Sequence, residues 1–99
     1  MAAVGMRDDD LTILGRATRA GFTGDVFGVT RADRRRPMLI EGMTGTGKTT
    51  LLKNMLVQDI ARGEGLCVID PLGVFADELL DLIPAHRLQD VTYTNGLGL

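Results

Sequence analysis

Residues 42–49 read Gly-Met-Thr-Gly-Thr-Gly-Lys-Thr, the G-x-x-x-x-G-K-T spacing of a phosphate-cradling loop. No other segment of the 99-residue chain constrains its fold so tightly. Glycines allow φ > 0 and bring backbone N–H groups close to anionic oxygens. A helix beginning at the loop adds unpaired N–H donors and the positive end of its dipole. The pattern predicts that Gly42, Thr44, Gly45, Thr46, Gly47, Lys48, Thr49 and Thr50 form the cradle. Lys48 reaches the β- and γ-phosphates as a point charge, and the Thr49 hydroxyl serves a Mg²⁺ ion. Chance produces such a match on the order of once in 10⁴–10⁵ positions, too rarely to explain it in a chain this short.

The flanking residues fit a strand–loop–helix unit. Met38-Leu39-Ile40 after Pro37 is a short apolar run suited to a buried parallel strand. Leu51, Leu52, Met55, Leu56 and Ile60 form a helical stripe, with Lys53, Asn54, Gln58, Asp59 and Arg62 on the other side. Gly63 marks the helix end. Leu66-Cys67-Val68-Ile69-Asp70, closed by Pro71, reads as the next strand and completes a βαβ unit.

Elsewhere the signals are weaker. Residues 1–10 end in three aspartates and read as a loosely packed start. Leu11–Leu14 suggests an edge strand, the 21–24 segment a turn, and Asp25–Thr30 a second strand. Phe75–Ile83 is expected to be helical, ended by Pro84. His86 and Arg87 follow in a loop, Val91–Thr94 reads as a third core strand, and residues 95–99 show no terminal element.

Eleven basic residues stand against thirteen acidic ones, a net charge of −2, so bulk electrostatics does not demand nucleic acid or membrane. No apolar stretch approaches the roughly 20 residues that span a bilayer, and no signal-peptide pattern opens the chain. A single cysteine, Cys67, excludes an internal disulfide framework and is expected as a small core residue of its strand. These features favour a cytoplasmic protein.

Other candidate sites have plainer readings. Asp70 could hold Mg²⁺ as a second acidic motif, but Pro71 follows it where hydrolytic enzymes place Glu. A turn role, with Asp favoured before Pro, is preferred. Arg31, Arg34, Arg35 and Arg36 could touch DNA phosphates or a base, yet a solvated linker requires fewer assumptions. With Phe22, Phe27, Phe75 and Tyr93 as the only aromatics, a stacking platform for single strands is unsupported. His86 lacks partners at metal-ligand spacing and reads as a solvated loop residue. Asp77, Glu78 and Asp81 read as the wet face of the second helix.

The run from Ala32 to Pro84 resembles the HerA/FtsK-like DNA-pumping ATPases, particularly type IV secretion coupling proteins and conjugative-transfer ATPases. The shared marks are Asp33-Arg34 before the strand, TGTGKTTLLKNM, the Gln58-Asp59-Ile60 helix end with Gly63 and Gly65, and Asp70-Pro71-x-Gly73. The resemblance covers residues 25–94. Departures are Leu72 where His is frequent, Val74 where an Asp would cap the next helix, and Pro37 where His is common.

The resemblance implies an α/β P-loop NTPase fold, RecA-like with three αβα layers, of which this chain looks like the amino-terminal portion. A segment over residues 1–36 with short strands and a basic linker would precede a partial ATPase domain over residues 37–99. It further implies ATP and Mg²⁺ as cofactors, DNA as partner, a homo-hexamer in the full-length protein, and Lys48 as the residue neutralising charge in phosphoryl transfer. The isolated chain is expected to be hydrolysis-deficient, since no acidic Mg²⁺/water motif follows Asp70. Two alternatives remain open: a small-molecule P-loop kinase and a non-catalytic nucleotide-binding module.

Overall fold

The computed structural model describes residues 11–94; the readings for residues 1–10 and 95–99 lie outside the described residues. The chain divides after Leu66 into two compact units. The first unit is built on a hairpin and a long helix. Strands β1 (Leu11–Arg19) and β2 (Phe22–Thr30) pair antiparallel, from Leu11 opposite Thr30 to Arg19 opposite Phe22.

The hairpin runs further than the sequence suggested, because its turn is Ala20-Gly21 rather than the 21–24 segment. Both turn residues have positive φ, 49° and 84°, a combination whose twist matches that of the flanking strands. Register shifts interrupt the ladder between Ile13 and Gly15 and between Arg16 and Thr18. Gly28, opposite Ile13, has no room for a side chain: a Cβ there would lie 2.0 Å from the Thr12 carbonyl oxygen.

Helix α1 (Arg31–Arg34) is one turn, started by Thr30, whose Oγ1 accepts the Asp33 N–H at 3.1 Å. Helix α2 (Lys48–Ala61) begins directly at the glycine loop, as expected, and ends where Gly63 predicted. Gly63, with φ 82°, donates to the Ile60 carbonyl at 3.1 Å, and Glu64 donates to the Asp59 carbonyl at 3.0 Å. These two bonds form a Schellman cap.

The buried face of α2 differs from the apolar stripe. Met55, Asp59 and Ile60 are its buried residues, so Asp59 is not on a wet side. Next to it, the Gln58 amide accepts the Ile13 N–H and donates to the Ile13 carbonyl, both at 2.8 Å. That reciprocal pair serves β1 as a neighbouring strand would. The Arg62 side chain also donates to the Leu11 carbonyl.

In the second unit, helix α3 (Val74–Leu80) is followed by a 3-10 helix (Ala85–Asp90). Leu79 is its buried apolar residue. Helix α3 is shorter than the expected 75–83 span, which closes in turn bonds from Leu82 and Ile83. His86 and Arg87 lie in the 3-10 helix rather than a loop, with Arg87 held to Asp90 at 3.2 Å.

The three expected core strands, Met38–Ile40, Leu66–Asp70 and Val91–Thr94, are not strands among the described residues, where the hairpin is the sheet. A parallel strand is stabilised only by neighbours on its flanks. Without them Leu39 is 80% exposed and Ile69 88%. Cys67 is likewise exposed rather than in a core, because the strand expected to bury it is not assembled.

Candidate functional site: a glycine loop and a basic cleft

The eight motif residues form a turn that runs straight into α2. Gly45 and Gly47 have φ of 86° and 92°, values that side-chain-bearing residues rarely adopt. Gly42 is needed for a different reason: a Cβ there would meet Thr46 Oγ1 at 2.6 Å. That hydroxyl and the Thr46 N–H both bond the Met43 carbonyl, at 2.6 and 3.2 Å, which tightens the turn.

Lys48 folds back over the loop, its Nζ donating to the Gly42 carbonyl at 3.0 Å. The first intrahelical bond runs from Leu51 N–H to the Gly47 carbonyl at 3.0 Å. The N–H groups of Lys48, Thr49 and Thr50 therefore precede the helix ladder. No side chain caps this end and no acidic residue occupies its first turn. Amides, the Thr49 and Thr50 hydroxyls and the Lys48 ammonium thus stand together at the start of α2, with no carboxylate in its first turn, which suits a polyphosphate with its magnesium. Thr44, Gly45, Thr46, Gly47, Thr49 and Thr50 are all exposed.

Asp70 lies in the second unit and acts as a local cap. Its carboxylate accepts the Leu72 N–H at 3.2 Å and the Ala76 N–H at 3.1 Å. The Ala76 bond above all, with those of neighbouring amides, holds its carboxyl below the usual carboxylate range. Asp70 thereby supplies the helix cap that Val74 cannot. The turn role agrees with the preferred reading. Nearby, Tyr93 donates its hydroxyl to Asp77 at 2.9 Å, and that carboxylate raises the phenol above its usual range. Asp77, Glu78 and Asp81 are exposed, as expected of a wet face.

The arginine cluster is more structured than a solvated linker. Arg34 makes a two-pronged ion pair with Asp59, at 2.7 and 3.2 Å, and donates to Thr12 Oγ1 at 2.7 Å. One guanidinium thus ties α1, α2 and β1 together, a geometry lysine cannot reproduce. Arg31 pairs with Glu64 across the more exposed rim, an interaction worth about 0–1 kcal/mol. These residues, with Arg35, Arg62 and Gly65, line an open cleft of about 280 Å³.

Composition and periodicity could not reveal the Arg34–Asp59 and Gln58–Ile13 pairs, which join residues 25 and 45 positions apart. For Arg34–Asp59 the one available signal was that both residues stand among the marks of the resemblance; for Gln58–Ile13 there was none, since Ile13 lies outside it. Among the described residues no cluster of His, Cys, Asp and Glu could hold a metal, and no helix is long and apolar enough to cross a membrane.

Comparisons with curated proteins and with solved structures give no significant match. The family model of the type IV secretion-system coupling protein DNA-binding domain matches residues 24–87. That span takes in most of the second strand, the Asp33-Arg34 turn, the glycine loop, α2 and the Asp70 cap. The chain belongs to the type IV secretion-system coupling protein DNA-binding domain family.

Proposed function

We propose that the chain binds ATP·Mg²⁺ through residues 42–50 and is part of a cytoplasmic ATPase of the HerA/FtsK and type IV coupling kind. In that reading the fold is that of a P-loop NTPase, and a homo-hexameric ring moves DNA. The observation that carries the nucleotide reading is the glycine loop opening onto the uncapped start of α2, with Lys48 turned back across it. ATP, when bound, would supply the phosphoryl group, and the Mg²⁺ bound with it would screen its charge. This chain's residues hold and neutralise it: Lys48 by charge, the loop amides by hydrogen bonds, Thr49 through its hydroxyl. Hydrolysis needs a further group to orient water. Asp70, already accepting two backbone N–H groups, is not assigned that task, and the 99-residue chain binds rather than turns over.

The test separates Mg²⁺ from phosphate recognition. ATP affinity of the wild-type chain should rise on adding Mg²⁺. Thr49→Ala should lose most of that rise while keeping its affinity in the absence of the ion. Indifference of the wild type to Mg²⁺, measured by calorimetry, would contradict the proposal.

A further inference from the structure

The chain as a whole is acidic, at −2, yet its cleft is basic. Arg31, Arg34, Arg35 and Arg62 face Asp59 and Glu64, four positive groups against two negative, a local excess of +2. We propose that this cleft is a seat for a phosphodiester of the DNA backbone, separate from the glycine loop, with Arg35 as its contacting residue.

Three observations carry the assignment. First, among the described residues the Arg35 guanidinium bonds no protein group, whereas its neighbour Arg34 is fixed by Asp59 and Thr12. A fixed floor beside an exposed, uncommitted guanidinium is an arrangement ready for an external anion. Second, the cleft is open and lined by polar and charged groups with a glycine, Gly65, at its wall. A backbone phosphate can approach such a site while meeting a mostly polar lining. Third, Thr30 caps the start of α1 and Arg35 is the C-cap residue at its end, so the backbone that presents Arg35 at the cleft is set before a ligand arrives. Phosphate contacts of this kind fix a protein on DNA without reading its sequence.

This inference rests on the DNA-handling part of the proposed function, and the experiment distinguishes the two. Binding of a fluorescent duplex to the 99-residue chain is measured by anisotropy at several salt concentrations, for wild type, Arg35→Ala and Arg36→Ala. Arg36 belongs to the same basic run but does not line the cleft. Arg35→Ala should weaken binding at least about threefold and flatten the slope of log K against log salt by about 0.9. Arg36→Ala should do clearly less. No DNA binding by wild type would overturn the DNA reading itself. Wild-type binding unaffected by Arg35→Ala, or lowered equally by Arg36→Ala, would overturn the cleft alone. ATP titrated into Arg35→Ala separates the two sources of phosphate. Unchanged ATP affinity is expected, and a tenfold loss would reassign the cleft to nucleotide.

Discussion

Gly28→Ala should speed hydrogen exchange of the β1–β2 amides by about 100-fold or more, an opening cost lowered by about 3 kcal/mol. The reason is geometric. The added methyl would sit 2.0 Å from the Thr12 carbonyl oxygen, and backbone on the facing strand cannot swing away as a flexible side chain can. Overpacking ordinarily costs about 1–3 kcal/mol, and a backbone contact this short lies at the upper end. An isolated hairpin is marginal in water, so there is little reserve to absorb the loss. The effect should spread to Ile13, since separating β1 from β2 also disturbs the strand edge that Gln58 grips. Unchanged exchange across the hairpin would mean that Gly28 does not face Thr12 as described.

Asp59→Ala should be the next most damaging change, lowering stability by about 2–3 kcal/mol in urea denaturation. It strips Arg34 of both carboxylate bonds while leaving the guanidinium among β1, α1 and α2. Breaking a fully buried pair costs about 3–5 kcal/mol, but Arg34 retains 26% side-chain exposure and Asp59 13%, so water softens the loss. The pair differs from Arg31–Glu64, whose removal should barely register. A double replacement, Arg34→Met with Asp59→Leu, should recover much of the loss, because the penalty comes from the stranded charge rather than the missing attraction. An Asp59→Ala midpoint equal to wild type would show that the clamp contributes nothing.

Local patterns in the sequence located what is stabilised locally. The glycine loop and α2 were readable because each is determined by neighbours within a turn or two: Gly45 and Gly47 by φ, the helix end by Gly63. Asp70 was readable as a turn residue for the same reason, although its reach to Ala76 was not. The hairpin was seen in part, because Ala20-Gly21 lacks the Asn-Gly or Asp-Gly signature of its turn class. Asp59 was misplaced on a wet face because periodicity counts a carboxylate as polar whatever its partner. Its burial depends on Arg34, which no helical pattern reveals. Met38–Ile40 and Leu66–Asp70 fit strands by composition, but a strand forms in a ladder, and no described segment pairs with either. Their exposed apolar side chains are what an unpaired sheet segment leaves on the surface.

Nucleotide binding at the loop is tested most directly by calorimetric titration of ATP·Mg²⁺ into wild type and Lys48→Ala. Lys48 is the motif's cation and its Nζ spans the loop to Gly42. Its truncation should weaken binding at least about tenfold, or about 1.4 kcal/mol. Equal affinity in the two proteins would contradict the claim that this loop cradles a polyphosphate.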